Sequence, residues 1–257
     1  MPTTPVNSQG LVSRVKPARV GDGAERVFRA GPYGEEFNLS LIQKSHLLAE
    51  EGSYFVSTNP TPGTGIAGQA APPAAPTVAG GGDTKPFISI FNSAAPADGT
   101  RISLDYLRLR PTAAGANGTS INFMMQIDSA PRSPVGAGFG GTSIVPVNPN
   151  MDSGSKSLAI VNAGSLTALA SGATARQLPN IQFRGVITVV NDIYIVSFGP
   201  AEYGVGSLIS SGSGVCQQSF GHPPVVIGPQ QTALIYLWMP AQTGASSFEF
   251  DMGHWER

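Results

Sequence analysis

The stretch from Pro223 to Arg257, PPVVIGPQQTALIYLWMPAQTGASSFEFDMGHWER, limits what this chain can fold into. Two apolar runs, Thr232 to Met239 and Phe248 to Trp255, flank a Pro/Gly/Ser/Thr loop, the punctuation of two successive β-strands rather than of one helix. In the first run Ala233, Ile235, Leu237 and Met239 share one face and Leu234, Tyr236 and Trp238 the other. Both faces are apolar, which predicts a central strand. In the second run Phe248, Phe250, Met252 and His254 alternate with Ser247, Glu249, Asp251 and Gly253, which predicts a strand with one wet face. Residues from upstream must cover these faces, so the end of the chain is expected to close the core.

A chain of 257 residues at 41% hydrophobic can bury a substantial core as one all-β domain. Charged residues make up 12%, against about 25% in ordinary soluble domains. Glycine (32) and proline (22) are abundant, so the composition is that of a loop-rich β protein with few surface charges. The 15 basic residues are mostly arginine; lysine blunts exposed sheet edges, whereas arginine is favoured in interfaces. This balance points to a homo-oligomer or a surface covered by neighbours, with a lysine-poor genome as the alternative.

The single Cys216 excludes an internal disulfide framework and leaves no cysteine pair to begin a zinc site. The opening MPTTPVNSQG has no basic and apolar signal regions, and no apolar run approaches the roughly 20 residues of a membrane helix. The expectation is a soluble protein made in the cytoplasm, with no membrane partner.

Residues 1 to 30 carry Arg14, Lys16, Arg19, Arg26 and Arg29 against Asp22 and Glu25, in a segment too often interrupted by Val, Pro and Gly to be a helix. This predicts an extended basic arm that lies on an acidic protein neighbour or, less in keeping with its low charge density and single Phe28, on nucleic acid. The arm and its connecting segment are assigned to residues 1–52, and a β-sandwich domain to residues 53–257. Within these, Phe37 to Leu41 reads as a short strand and Ser45 to Gly52 as a turn or two of helix capped by Gly52. Tyr54 to Thr58 is a strand, and Asn59 to Asp83 a long uncharged Pro/Gly/Ala loop expected to run over a surface or a partner.

Further strands are predicted at Phe87 to Asn92, Ile102 to Arg110, Ile121 to Ile127, Leu158 to Val161, Ile181 to Val190 and Ile193 to Phe198. The phase slip from Ile102, Leu104 and Tyr106 to Leu107 and Leu109 predicts a β-bulge near Tyr106. Ile121, Phe123, Met125 and Ile127 alternate with Asn122, Gln126 and Asp128, and Asn191-Asp192 is compatible with a tight hairpin. Roughly ten strands without a long helix argue for a β-sandwich. Long excursions between strands favour a jelly roll over an immunoglobulin-like sandwich, for which no paired cysteines flank a buried Trp.

Chemistry is sparse. Gly63-Thr64-Gly65-Ile66-Ala67-Gly68 matches GxGxxG, but Gln69-Ala70-Ala71-Pro72-Pro73 cannot open the helix that holds a pyrophosphate. His46, His222 and His254 have no metal-ligand spacing. Cys216 and His222 can form a metal or nucleophile pair only if the fold supplies an orienting carboxylate, and a core or turn role fits each better. Asn148, Asn150 and Asp152 offer oxygens to calcium without the bidentate Glu of a calcium loop. Asp105, Asp128 and Asp251 fall on sheet faces where two can meet like a glycosidase pair. No cofactor, metal or catalytic set is assigned.

The closing segment, Tyr54-Phe55-Val56 through the PTPGTGIAG loop, Asp105-Tyr106-Leu107 and Pro146-Val147-Asn148 together resemble a group of virion structural proteins of tailed bacteriophages, from about Tyr33 to the end. The resemblance implies a non-enzymatic particle component located in the virion, with a jelly-roll-like sandwich and an N-terminal arm. A capsid decoration or cement protein is the first expectation. Its partners would be copies of itself and other virion proteins: major capsid, portal or neck, and tail. A neck or tail component, or a receptor- or glycan-binding module using Tyr203, Phe220, Trp238 and Trp255, is the alternative, and a polysaccharide hydrolase the third.

Overall fold

The computed structural model describes residues 44–69, 86–113, 121–129, 131–132, 141–164, 175–178, 181–183, 190, 192–199, 217–239 and 246–257. The chain divides into two compact units, Met1–Lys44 and Ser45–Arg257, and the described strands belong to the second. The basic arm and the strand expected over Phe37 to Leu41 lie outside the described residues. Helix α1 (Lys44–Glu50) stops as its sequence predicts. Gly52 adopts φ 74°, Ser53 N donates to Leu48 O at 2.9 Å, and Gly52 N donates to Ala49 O at 3.0 Å, a Schellman cap.

The strands, in chain order, are β1 (Tyr54–Thr58), β2 (Ile66–Ala67), β3 (Ile88–Asn92), β4 (Ile102–Ala113), β5 (Ile121–Asp128), β6 (Thr142–Ile144) and β7 (Ala159–Ala163). They continue with β8 (Ala175–Gln177), β9 (Ile181–Phe183), β10 (Ile193–Phe198), β11 (Gln217–His222), β12 (Val226–Ile227), β13 (Thr232–Trp238) and β14 (Ser247–Glu256). They form two sheets of 7 strands each. The first runs β1-β14-β4-β10-β11, with β2 against β14 and β12 against β4; the second runs β6-β7-β3-β13-β5-β8, with β9 against β5. The protein is therefore all-β and two-layered. Among the described residues no helix is long and apolar enough to cross a membrane.

The period-two pattern explains the layering. From the first sheet Leu107, Leu109, Val196, Phe250 and Met252 point inward; from the second Ile88, Ile90, Phe123, Met125 and Ile235 do, and all belong to one buried cluster. Phe87 meets Phe248 and Phe250 edge-on at 6.2 and 5.9 Å, joining the layers. The two closing strands are each central, but in different sheets: β13 lies between β3 and β5, and β14 between β1 and β4. Burying a side chain such as Phe248 or Met252, both 0% exposed, contributes on the order of 1.5–3 kcal/mol.

The pairing is nested. β1 pairs β14, β3 pairs β13, β4 pairs β10 and β5 pairs β8, all antiparallel, so early strands meet late ones and middle strands meet each other. The expected β-bulge is present: Gly253 opposes Tyr106 and His254 opposes Leu104, which skips Asp105 and shifts the buried phase from Ile102 and Leu104 to Leu107 and Leu109.

Two expectations need correction, and one left open is decided. Both edges of β10 are occupied, by β4 antiparallel and by β11 parallel, and β9 lies in the other sheet, so the tight hairpin at Asn191-Asp192 has no edge to form on. The alternation on β5 leaves open whether its polar face meets water, and the fold decides it: Asn122, Gln126 and Asp128 are buried, on the face where Met124, Leu234, Tyr236 and Trp238 form a second apolar cluster. Residues 70–83 of the loop expected over Asn59 to Asp83 lie outside the described residues, and the described part does not simply cross a surface. Ile66–Ala67 joins β14, and Gln69 bridges to Trp238 in the second sheet.

Candidate functional site

The best-formed site lies on the outer face of the first sheet. On β4 Arg108 and Arg110 alternate with the inward Leu107 and Leu109; on β14 Glu249 and Asp251 alternate with Phe248, Phe250 and Met252. The register sets Arg108 opposite Asp251 and Arg110 opposite Glu249, unlike charges on adjacent strands. Arg108 Nε donates to Asp251 Oδ2 at 2.6 Å, and Arg110 Nη2 donates to Glu249 Oε2. The arginine side chains are 55% and 49% exposed while Asp251 and Glu249 are only 15% and 12%, so the guanidinium groups meet solvent more than the carboxylates paired with them. Glu249 also accepts from the Gly63 amide. Burial alone would raise its pKa, but the hydrogen bonds from Arg110 and Gly63 outweigh it and hold the carboxyl below its ordinary value.

Gly253 extends the face. A Cβ there would run into Tyr54 Oη and the Tyr106 ring, so the missing side chain lets both phenols lie across β14. Tyr54 Oη donates to Asp105 Oδ2 at 2.8 Å. Burial, then the bond to Asp105, pushes the Tyr54 phenol far up; burial, then the charge of Asp251, pushes Tyr106 up to about 12. Both phenols therefore remain protonated donors and are poor general bases.

Two adjoining depressions of about 430 and 470 Å³ open on this face and share Thr58, Arg108 and Asp251. The first is completed by Val56, Tyr106 and Ile195, the second chiefly by Arg110, Ile193 and Glu249. Together they make one shallow trough across β1, β14, β4 and β10, with fixed donors and acceptors set among apolar patches.

Of the three carboxylates singled out by sequence, Asp105 and Asp251 share this sheet, each engaged as described. Asp128 sits in the other sheet, 2.8 Å from Arg132 Nη1, so no pairing with it is formed on this face. Of the GxGxxG glycines, Gly63 turns the chain at φ 81°, while Gly65 and Gly68 serve close packing. A Cβ on Gly65 would strike Thr112 Oγ1 and approach Phe248 N to 2.9 Å, and one on Gly68 would come within 3.2 Å of Leu237 O, where the chain passes between sheets. Asn148 and Asn150 cap turns: their side-chain oxygens accept from the amides of Asn150 and Asp152 at 2.9 and 3.0 Å. His46 is exposed on α1. His222 is buried between Phe123 and Phe198 with Nδ1 2.9 Å from Pro223 O, and burial lowers its pKa. Trp238 is buried, while Phe220 and Trp255 are half-buried. Cys216, Tyr203, Arg14, Lys16, Arg19, Arg26 and Arg29 lie outside the described residues. Among the described residues no group of three or more His, Cys, Asp or Glu is placed to hold a metal.

Two clusters escaped the sequence. His254, Glu256 and Ser157 meet where β14 ends: Ser157 Oγ donates to Glu256 Oε1 at 2.5 Å and lies 3.3 Å from His254 Nε2. Glu256 also accepts from the amides of Leu158 and Ala159 at 3.0 and 3.2 Å. Burial raises the Glu256 pKa, but the bonds from His254, Ser157 and the Leu158 amide outweigh it and lower it overall. Ser157 and Glu256 meet the imidazole at the same nitrogen, and His254 Nδ1 has no partner among the described residues, so the cluster lacks the orienting bond of a catalytic triad. The second is an apolar segment: Val145, Val147 and Met151 are 78%, 61% and 95% exposed. The trough itself was half legible, because the charge patterns Arg-Leu-Arg on β4 and Glu-Phe-Asp on β14 are complementary once the strands are paired. In comparisons with family models, curated proteins and solved structures, the chain matches none.

Proposed function

We propose that this chain is a non-enzymatic structural component of a tailed-bacteriophage particle, a capsid decoration or cement protein that docks on copies of itself and on other virion proteins. The observation that carries this reading is the exposed strip Val145, Val147 and Met151 at the seam of the sandwich. Edge strand β6 leads into Val147, which exchanges two 2.8 Å backbone hydrogen bonds with Val56 on edge strand β1 of the other sheet. The segment thereby runs from the edge of one sheet to the edge of the other and leaves its apolar side chains exposed, in a chain with only 12% charged residues. Large apolar side chains left exposed near one another in the chain are the kind of surface that marks protein contacts.

The nested antiparallel pairs support the jelly-roll form of the sandwich, in which a long ribbon of paired strands is rolled into two sheets. The parallel β10 and β11 pair and the short strands β2, β6 and β12 are additions to that plan.

The test is copy number and incorporation. Purified particles should contain hundreds of copies, and the triple substitution Val145→Ser, Val147→Ser, Met151→Ser should fold normally yet be lost from particles. A dozen or fewer copies would move the protein to the neck or tail. Normal incorporation of the triple variant would remove the seam as the docking surface.

A further inference from the structure

The trough on the first sheet is a built surface that docking through the seam does not use. Its four strands span about 14 Å at ordinary strand spacing, room for an extended chain of small rings rather than a single small molecule. Arg108 and Arg110 are held by Asp251 and Glu249, so their planes are fixed before any ligand arrives and little side-chain entropy is lost on binding. The same pairing argues against an anion, because each guanidinium is already paired with a carboxylate. It argues equally against a peptide strand, since β14 and β4 are flanked on both sides and offer side chains, not free backbone edges.

What remains on offer is a set of adjacent donors and acceptors, the guanidinium edges and carboxylate oxygens, beside the Tyr106 ring and the apolar Ile195. That mixture matches a polyhydroxyl ligand with C–H faces. We infer that the trough binds an uncharged oligosaccharide, whose hydroxyl groups bond the Arg108–Asp251 and Arg110–Glu249 pairs while a ring face lies on Tyr106. Gly253 is part of this site, because any side chain there would displace the Tyr106 ring. The inference is independent of the particle role: sugar binding can fail in a protein that decorates a capsid, and succeed in one that does not.

The experiment is calorimetric titration of the full chain with short linear oligosaccharides of glucose, mannose and N-acetylglucosamine, and with galacturonate oligomers as the acidic arm. At least one uncharged series should bind saturably with Kd below about 1 mM. Tyr106→Ala and Arg108→Gln should each weaken it about tenfold or more, a change of about 1.4 kcal/mol, while Val145→Ser leaves it unchanged. Arg108 is half-exposed, so its variant keeps the test valid if Tyr106→Ala fails to fold. No binding by any uncharged series at about 10 mM, stronger binding of galacturonate, or binding indifferent to both substitutions would overturn the inference.

Discussion

On the outer face of the first sheet the Arg108 and Asp251 side chains are 55% and 15% exposed; on that of the second, Arg132 and Asp128 are 1% and 0% exposed. Both are arginine and aspartate pairs at the surface of a β-sheet, yet one stands at the rim of an open trough and the other lies inside the protein. The open pair is hydrogen-bonded and hydrated, and its net contribution to stability is small. The buried pair is a contact of charges without an aligned hydrogen bond, and Arg132 Nε and Nη2, Asp128 Oδ1 and both amide atoms of Gln126 have no hydrogen-bond partner among the described residues. The contrast teaches that strand alternation places a polar residue on a face but does not say whether that face meets water.

Breaking the buried pair should have the largest effect. Arg132→Ala leaves Asp128 as an uncompensated interior charge and should destabilise the protein by about 3–5 kcal/mol, read from urea unfolding midpoints. Replacing both partners, Asp128→Leu with Arg132→Met, should recover most of that loss. If the single variant costs no more than an exposed pair does, the second face is not an interior.

Glu256 is intermediate: buried, but bonded by Ser157 and two backbone amides. Glu256→Gln should cost about 1–3 kcal/mol. Its folded pKa lies below the ordinary 4.5, so the folded state binds the proton less readily than the unfolded chain. The stabilisation it brings is complete above that ordinary value and is lost as pH falls through the lower folded value. Glu249 is shifted the same way and adds to the acid loss. Unfolding midpoints measured from pH 6 down to about pH 3 should fall in the parent and fall less steeply in Glu256→Gln. Parallel curves would remove Glu256 as a source of the acid sensitivity.

The smallest effect belongs to the open face. Arg108→Ala should change stability by no more than about 1 kcal/mol, and about 0.15 M added salt should shrink even that. A loss comparable to that of Arg132→Ala would mean that the trough is covered rather than open.

Much of the fold was legible because local patterns carried it. Two apolar faces on Thr232 to Trp238 marked a central strand, and the phase slip at Tyr106 marked the bulge that carries Asp105. The hairpin at Asn191-Asp192 misled because both neighbours of β10, Tyr106 to Leu109 and Gln217 to His222, are distant in sequence and took its edges first. The clean alternation of β5 set Gln126 and Asp128 on one face without saying whether that face meets water, and only the neighbouring Leu234, Tyr236 and Trp238 show that it is apolar. The candidate site was legible as charge patterns but not as a place, since Arg108 and Asp251 meet across 143 residues and Ser157 and Glu256 across 99.

The contrast between the faces can be measured directly, because the chain has 2 tryptophans and each face holds one. Trp238 lies in the buried cluster of the second sheet at 8% exposure, and Trp255 is half-buried on the first, opposite Tyr54. Acrylamide quenching of Trp238→Phe and Trp255→Phe variants, each left with a single indole, reports the access of each face to solvent. Trp255, observed in Trp238→Phe, should be quenched strongly, while Trp238, observed in Trp255→Phe, should be shielded with a blue-shifted emission. Equal quenching of the two, or a more accessible Trp238, would contradict the assignment of an open first face and an interior second one.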